Sequence, residues 1–142
     1  MELRKVEYTD WENLLEWRND TLTRKNCLVD NFVNENEHKI WLVNAINNPD
    51  LILLIAIENN IPLGTIRGEL DRENRMYKVS WTIAPEFRNK GLCKKMAQLF
   101  IENYTNKIRV EIKTEDVFSV KIAQYLGMSF QKKINGILHF SK

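Results

Sequence analysis

The stretch from Val79 to Lys94 constrains the fold more than any other part of the sequence, because the side-chain periodicity changes within it. In its first half, largely apolar side chains alternate with largely polar ones, which is the pattern of a β-strand. Pro85 then removes a backbone donor and ends the strand. From Lys90 onward, apolar residues recur at helical spacing. The stretch therefore predicts a strand, a basic turn that contains Gly91, and a helix.

The turn between the strand and the helix has the chemistry of an anion-binding site. The first N–H groups of a helix lack intrahelical acceptors and lie at the positive end of the helix dipole, and Gly91 lets the backbone approach a phosphate closely. Two linked phosphates fit such a turn better than one. The alternative is an ordinary turn with solvated lysines. The basic side chains that surround the turn are Arg88, Lys90, Lys94 and Lys95.

The sequence RNKGLC at residues 88–93, after a strand that ends IAP, resembles the acetyl-CoA signature of the GNAT N-acetyltransferase superfamily. That signature is Arg or Gln, two residues, Gly, one residue, and then Gly or Ala. Arg88 and Gly91 match it, while Cys93 replaces the last small residue. The resemblance implies that the turn binds the pyrophosphate of acetyl-CoA and that Ile83 and Ala84 pair with the pantetheine arm. The implied cofactor-binding residues in this stretch are Ile83, Ala84, Arg88, Asn89, Lys90, Gly91, Leu92, Cys93 and Lys94.

The order of predicted elements supports the same resemblance. Periodicity and turn residues predict a strand, two helices, three antiparallel strands, a helix, a strand, a helix and two final strands. Leu51–Ile57 is continuously apolar and predicts a strand covered on both faces, while Trp17–Asn26 predicts a loop over a pocket. Hairpin turns are predicted at Asn59–Asn60 and at Asn135–Gly136. The order matches the GNAT topology, which implies a mixed α/β fold: a mostly antiparallel sheet of about seven strands, flanked by about four helices and splayed between strands 4 and 5.

Composition limits the classes of protein that remain. A chain of 142 residues with 44% hydrophobic and 28% charged residues predicts a single globular domain, and the resemblance implies that this is one GNAT-like acetyltransferase domain over residues 1–142. The net charge of +2 is too small to indicate a nucleic-acid or membrane partner. Cys27 and Cys93 are widely separated, so neither a metal site nor a disulfide framework is expected. The residues after Met1 are charged and do not form a signal peptide, which favours the reducing cytoplasm.

A second segment, EDVFSVKIAQYLGM at residues 115–128, resembles the other family signature, in which Asn, two residues, Ser, a helix and Gly-Phe contact the CoA arm. Ser119 matches, and Asp116 stands where asparagine is usual, so the resemblance implies that both contact the arm. Many family members place a general-acid tyrosine four residues before the glycine, where this chain has Ala123. Tyr125 lies about 200° away around the helix and is therefore not a direct replacement.

Transfer of an acetyl group to an amine by direct attack requires a base for the amine proton but no covalent enzyme intermediate. Glu111 on the fifth strand is the first candidate, because it aligns with a glutamate used by protein N-terminal acetyltransferases of the superfamily. Glu69 on the third strand is the second candidate. The alternative for Glu111 is a strand carboxylate paired with Arg109 or Lys113. Neither histidine is preferred, because a lone histidine on a helix or edge strand is more often structural.

The segment WRND followed by TR, near the end of the first helix, resembles one shared by acetyltransferases that act on the amino groups of nucleotide-linked sugars. The resemblance implies that Trp17 stacks on a sugar or base and that Arg18 and Arg24 meet a nucleotide phosphate. The alternative is an aromatic core residue beside a salt bridge to Glu16 or Asp20. The predicted substrate-binding residues are Trp17, Arg18, Asn19 and Arg24.

We therefore expect an acetyl-CoA-dependent N-acetyltransferase that acts on a primary amine, preferably a nucleotide-linked amino sugar. The first alternative acceptor is a protein N-terminus or lysine. A second alternative is a non-catalytic acyl-CoA-binding regulatory module, which the alanine at the tyrosine position motivates. The expected partner is a small-molecule amine, and an edge strand at the C-terminus would allow a homodimer.

Overall fold

A seven-stranded sheet organises the structure, a computed structural model that describes residues 1–142. All neighbouring strands are antiparallel except β4 and β5, which are parallel. Their spatial order is β1-β2-β3-β4-β5-β7-β6. The mixed α/β fold predicted from the sequence is therefore confirmed. The strands are β1 (Glu2–Lys5), β2 (Leu51–Glu58), β3 (Ile61–Asp71), β4 (Met76–Ile83), β5 (Ile108–Lys113), β6 (Ser129–Ile134) and β7 (Ile137–Ser141).

Helices cover both faces of the sheet and build a separate hydrophobic core on each face. On one face α4 packs its apolar stripe, including Met96 and Phe100, against the sheet, and α5 adds Ile122. On the opposite face α1 and α3 contribute Leu14 and Leu42. None of these helices combines the length and the apolar content that a membrane span requires. The helices are α1 (Trp11–Asn19), α2 (Thr21–Asn26), α3 (Glu35–Ile46), α4 (Leu92–Asn103) and α5 (Val117–Tyr125), with short 3-10 turns at Tyr8–Asp10 and Pro85–Phe87.

Several local predictions are confirmed. Alternate side chains of β2 enter the two cores, so this apolar strand is buried on both faces. The predicted hairpin turn at Asn59–Asn60 has positive φ at both residues, and so does the turn at Asn135–Gly136. These values match the tight turns that join antiparallel strands with two residues.

Two predicted boundaries were wrong. The segment Trp17–Asn26 is helical rather than a loop, since α1 continues to Asn19 and α2 follows at once. Asp20 makes this possible because its carboxylate caps α2 by accepting from the Thr23 N–H at 3.1 Å. The helix expected from Lys90 begins at Leu92, because Gly91 adopts a left-handed conformation with φ of 72° before the first helical turn.

Strands β4 and β5 separate soon after they begin, as predicted. They pair only at Tyr77 with Ile108 and at Lys78 with Arg109. Beyond this point β4 remains paired with β3, and β5 remains paired with β7. The facing edges of the two strands are therefore free, and we call the space between residues 79–83 and 110–113 the β4–β5 gap.

A buried ion pair fixes the start of α1, which carries part of the candidate site. Arg4 on β1 donates two hydrogen bonds of 2.8 Å to Asp10, and the Glu7 N–H donates a third of 2.8 Å. Burial alone would raise the pKa of Asp10, but the hydrogen bonds from Arg4 and Glu7 together with the Arg4 charge hold it below its usual value. The carboxylate is therefore ionised at neutral pH and stabilises the folded state.

Asp10→Asn should lower the free energy of unfolding at pH 7 by about 1–3 kcal/mol, because it breaks a largely buried hydrogen-bonded pair. The folded-state pKa is depressed, so the contribution is complete above the unfolded-state pKa of about 3.9 and is lost as pH falls through the lower folded-state value. Urea unfolding over this pH range measures the difference. Asp50→Asn, at the exposed pair with Arg72, is the control and should change little. Equal losses in the two variants would contradict this account.

Candidate active site

The basic turn before α4 presents a row of unused backbone donors. Between the Pro85–Phe87 turn and α4, Asn89 and Gly91 have φ of 64° and 72°. The backbone N–H groups from Asn89 through Lys94 donate to no acceptor in the protein. A Cβ added to Gly91 would meet nothing within 4 Å, so the space in front of the turn is open. Free donors around open space fit the two phosphates of a pyrophosphate group.

The basic side chains near this turn divide into two groups. Lys90 and Lys94 remain beside it, with their Nζ atoms over the Phe87 and Tyr125 rings at 5.6 and 5.2 Å. The guanidinium of Arg88 instead forms an ion pair with Asp20 on the other side of the sheet and donates to Thr23 Oγ1 at 3.1 Å. The expectation that the Arg88 side chain adds charge at the turn is thus corrected, because the carboxylate that caps α2 holds it.

The β4 edge supplies backbone groups to the gap. The Tyr77 N–H donates to the Lys107 carbonyl, on the side of β5, at 2.9 Å. The Ala84 N–H donates to the Leu63 carbonyl on β3 at 2.8 Å. Because backbone groups alternate in direction along a strand, Val79, Trp81 and Ile83 direct theirs into the gap.

This alternation separates the two residues expected to pair with the pantetheine arm. Ile83 has backbone groups that face the gap. The N–H of Ala84 is already bonded, its carbonyl accepts from the Phe87 N–H at 2.9 Å, and the residue is fully buried. The expected pairing of Ala84 with the arm is therefore corrected, because β3 takes its N–H and the following turn takes its carbonyl.

The two signature positions Cys93 and Asp116 have structural roles. Cys93 is buried in the core beneath the turn, and burial raises the pKa of its thiol far above the usual value, assisted by the nearby Asp116 charge. It therefore stays protonated and cannot act as a nucleophile. Asp116 caps α5 by accepting from the Ser119 N–H at 3.1 Å. Aspartate and asparagine cap helices equally well, which explains the departure from the family pattern.

Ser119 and the two positions related to the family tyrosine occupy different sides of α5. The Ser119 Oγ accepts from the Trp81 Nε1–H at 3.2 Å, so it joins α5 to β4. Ala123 is fully buried in the core, whereas Tyr125 is exposed near Lys94. The rotation predicted from the helix geometry is observed, and Tyr125 does not reach the gap from that side.

A cavity of about 820 Å³ adjoins the gap on the face of the sheet covered by α1, α2 and α3. It extends from these helices through the gap to Arg88 and Asn89, so the turn, the gap and the cavity are continuous. Its volume is that of a small-molecule site. The polar side chains along its sheet wall are Thr65, Arg67, Glu69, Lys78, Ser80, Thr82 and Glu111, and the apolar side chains opposite include Leu22, Leu28, Val29, Val33 and Trp41.

Glu111 lies in this polar wall where β4 and β5 separate. Its carboxylate is 3.1 Å from Lys78 Nζ and 2.9 Å from Arg109 Nη1. Burial works to raise the pKa of Glu111, but the hydrogen bonds and charges of these two cations hold it below its usual value. Lys113, the other partner considered from the sequence, instead donates to the Lys25 carbonyl on α2 at 2.9 Å. Glu69 is more exposed and lies 3.6 Å from Arg67 Nε.

The predicted acceptor residues mainly hold the loop at residues 27–33. Asn19 exchanges two hydrogen bonds with the Val33 backbone, at 2.7 and 2.9 Å. Arg24 donates to the Asp30 carbonyl at 3.2 Å and lies over the Phe32 ring. Trp17 is only 3% exposed and packs in the core, although it also lines the cavity. The structure therefore favours the core alternative for Trp17 and a structural role for Asn19 and Arg24.

Arg18 differs from its neighbours because its charge is not neutralised. Its Nη2 donates to the Val29 carbonyl at 2.6 Å, and no carboxylate pairs with it. Its Nη1 is enclosed and donates to no acceptor. Arg18 also lines the cavity. An unpaired guanidinium at this position favours a ligand with a negative group.

Sequence reasoning did not assign Lys78 or Arg67 to the site and set His38 aside as structural, and all three residues line the cavity. His38 on α3 is buried, and its Nε2 is 3.1 Å from the Trp11 carbonyl. Burial lowers the pKa of His38, so it is neutral at neutral pH and serves to join α3 to α1. One signal was available for Lys78: it alternates with the apolar positions of its strand, as Arg67 and Glu69 do on theirs.

The family model for the acetyltransferase (GNAT) domain matches residues 1–129. The chain therefore belongs to the GNAT family and is an acetyltransferase whose acyl donor is acetyl-CoA. The free amides of the turn and the open edge of β4 fit this donor, as described above.

Solved structures share the fold at low sequence identity. A domain from Methanocaldococcus jannaschii is 18% identical, with a TM-score of 0.83 over 99% of this chain and 96% of that one. Ribosomal-protein-alanine N-acetyltransferase from Brucella melitensis is 19% identical, with a TM-score of 0.79 over 100% and 99%. Spermidine N-acetyltransferase from Vibrio cholerae, in complex with CoA and spermine, is 16% identical, with a TM-score of 0.83 over 98% and 92%. No curated protein matches the sequence at a significant level.

Gly91→Trp should weaken acetyl-CoA binding at least tenfold, because the new side chain would fill the open space before the free amides. Calorimetric titration measures the affinity. Gly136→Trp is a matched control, since Gly136 also has a positive φ and open space around its missing Cβ but lies in the β6–β7 turn. Both variants should lose similar stability, and only Gly91→Trp should lose affinity. Unchanged affinity in Gly91→Trp would remove the turn from the binding site.

Proposed function

We propose that this acetyltransferase acetylates a small primary amine that carries a negatively charged group, with nucleotide-linked amino sugars as the first class to test. The observation that carries the proposal is the continuous space from the free amides of the turn, through the β4–β5 gap, to the cavity lined by Arg18. A donor held at the turn would present its thioester toward that cavity. The acceptor amine would approach from the side of α1 and α2.

Arg18 supports a negative group on the acceptor. It is the charged member of the WRND segment that lines the cavity and has no carboxylate partner, and its enclosed Nη1 donates to no acceptor. Trp41 lines the same cavity and is 39% exposed, so its ring offers a surface on which a sugar or base would stack. An anionic group beside Arg18 and a ring against Trp41 are the features of a nucleotide-linked sugar.

A protein N-terminus is the second candidate acceptor. Glu111 at the junction of β4 and β5 favours it through the resemblance to N-terminal acetyltransferases, and the Brucella melitensis enzyme with this fold is named for a ribosomal-protein alanine. A polyamine is a third class, because the Vibrio cholerae enzyme is named for spermidine. A polyamine carries no anionic group, so it would leave Arg18 without a partner.

Thiol release from acetyl-CoA on addition of separate acceptor pools tests the proposal. The pools are nucleotide-linked amino sugars, short peptides with free N-termini, and polyamines. Release with the amino-sugar pool is the expected result. Release only with peptides or only with polyamines would overturn the acceptor assignment, and absence of acetyl-CoA binding would overturn the site itself.

Arg18→Gln should lower kcat/KM for an anionic acceptor by about tenfold to a hundredfold, as expected when a charged hydrogen bond is lost, and should leave acetyl-CoA affinity unchanged. Arg24→Gln is the matched control, because Arg24 also donates to a loop carbonyl but lies outside the cavity lining. Initial rates across acceptor concentrations give the result. Equal losses in the two variants would mean that Arg18 acts only on the loop.

Glu111 is the proposed base, and Glu69 is the second candidate. Glu111→Gln should lower kcat at least tenfold without changing acetyl-CoA affinity, whereas Glu69→Gln should have a smaller effect. Because the pKa of Glu111 is held below its usual value, this carboxylate is already ionised throughout the neutral range. The wild-type rate should therefore rise with pH as the free amine increases, with no step from Glu111 above about pH 4.3. A larger loss in Glu69→Gln would move the base to β3.

A further inference from the structure

Lys78 occupies a special position in the fold, because it belongs to the last residue pair that joins β4 to β5. Its side chain projects to the cavity face, where it lines the cavity together with Glu111 and Ser80. Lys78 Nζ is 3.1 Å from the Glu111 carboxylate, and its side chain remains 32% exposed. The ammonium is therefore held by Glu111 at the closed end of the gap, where β4 and β5 are still paired, and it keeps donors free toward the cavity.

The length of the gap places the closed end near the reacting atoms of a donor bound at the turn. From Ile83 to Lys78, β4 spans about 16 Å. The extended pantetheine arm has about the same reach, because its main chain contains nearly as many bonds as five residues of backbone. A pyrophosphate at residues 89–94 and an arm along the β4 edge would thus bring the sulfur close to Lys78.

No hydroxyl from the family position reaches this point. Ala123 replaces the tyrosine and is fully buried, while Tyr125 is exposed near Lys94. The Ser119 hydroxyl, which does line the cavity, accepts from Trp81, three residues along β4 from Lys78 toward the open end of the gap. At the paired end of the gap, the group that offers a positive charge to a departing sulfur is Lys78.

We propose that Lys78 is a catalytic residue whose ammonium stabilises the negative charge on the departing CoA sulfur, while Glu111 holds it in place. This inference rests on the proposed function. In the transfer, Glu111 accepts the proton that the attacking nitrogen loses as the new carbon–nitrogen bond forms. The carbon–sulfur bond breaks with its electron pair on sulfur, Lys78 offsets that charge, and solvent supplies the proton of the final thiol. Glu111 then returns its proton to solvent.

Several other charged or titratable side chains lie around Lys78 and would also influence the pKa of a thiol bound near it. Glu111 and Arg109 face it from β5, and Glu69 lies opposite it in the β3 register. Arg67 on β3 lines the same wall, and Glu37 and His38 on α3 lie across the cavity. Because Glu111 lies beside Lys78, their charges nearly cancel at a distance, and Lys78 acts on the sulfur only at contact range.

The pKa of the thiol in bound CoA tests the proposal without any acceptor. The thiolate absorbs in the far ultraviolet, and a difference spectrum between complexes with CoA and with desulfo-CoA cancels the signals of Cys27, Cys93 and the tyrosines. A lysine ammonium near the sulfur should hold the thiol pKa of bound CoA at least about one below that of free CoA titrated in the same buffer. An unperturbed thiol in a saturated complex would overturn the proposal and leave the proposed function intact.

Two variants with opposite expected effects sharpen this test. Lys78→Met should return the thiol pKa to its ordinary value, and Lys78→Arg should keep part of the depression because it keeps the charge. Glu111→Gln should lower the thiol pKa further, because it removes the negative charge beside Lys78 and leaves the cation unpaired. Shifts of the same sign in Lys78→Met and Glu111→Gln would overturn the assignment, as would an unchanged thiol in Lys78→Met.

The rates of the same variants separate a catalytic role from a positioning role. If Lys78 acts on the sulfur, Lys78→Met should lower kcat about tenfold or more with unchanged acetyl-CoA affinity, and it should add to the loss in Glu111→Gln. If Lys78 only orients Glu111, the double variant would be no slower than Glu111→Gln, and this outcome would overturn the proposal. Failure of the protein to bind CoA at all would overturn both this inference and the proposed function.

Discussion

The early separation of β4 and β5 is the feature on which the rest of the site depends. The two strands share only two residue pairs, and beyond them each strand is held from its far side, β4 by β3 and β5 by β7. At the open end of the gap, Ala84 is bonded to β3, and Trp81 is bonded to Ser119 on α5. Unpaired backbone groups are costly inside a protein unless a ligand or water satisfies them. The free edges of the gap therefore fit an extended chain with amide groups.

The two faces of the sheet differ in character, since one is an apolar core and the other carries the cavity. The face under α4 and α5 is apolar and well packed, and it positions the start of α4 so that its free amides face outward. The face under α1, α2 and α3 carries the charged side chains around the cavity. Arg88 connects the two parts, since it lies at the turn in sequence and binds Asp20 at the start of α2. The ion pair between Arg88 and Asp20 thus connects the basic turn before α4 to the helices that cover the cavity.

The sequence was sufficient where the determinants are local. Pro85 and the asparagine-containing hairpins act on their own neighbours, so the end of β4 and the tight hairpins could be predicted from single segments. The helix α2 could not be predicted in this way. Asp20 caps it, and Asp20 is also held by Arg88, which is distant in sequence. The loss of the Ala84 N–H to Leu63 likewise depends on strand register.

The catalytic assignments were harder for the same reason. Glu111 was predicted as the base by resemblance, but its ion pair with Lys78 depends on the parallel register of β4 and β5, which no local pattern encodes. The WRND segment was read as a binding motif, yet Asn19 and Arg24 hold the neighbouring loop through backbone contacts that only the folded chain reveals. Arg18 keeps an enclosed Nη1 that donates to no acceptor.

Residue-resolved amide hydrogen exchange with and without acetyl-CoA tests the central claim most directly. The account predicts slower exchange on binding for the amides of Asn89–Lys94 at the turn and for Trp81 and Ile83 along the gap. The amide of Ala84 should change little, because it is already bonded to Leu63. Binding of acetyl-CoA with unchanged exchange at the turn and the gap, and slowed exchange elsewhere, would contradict the placement of the site.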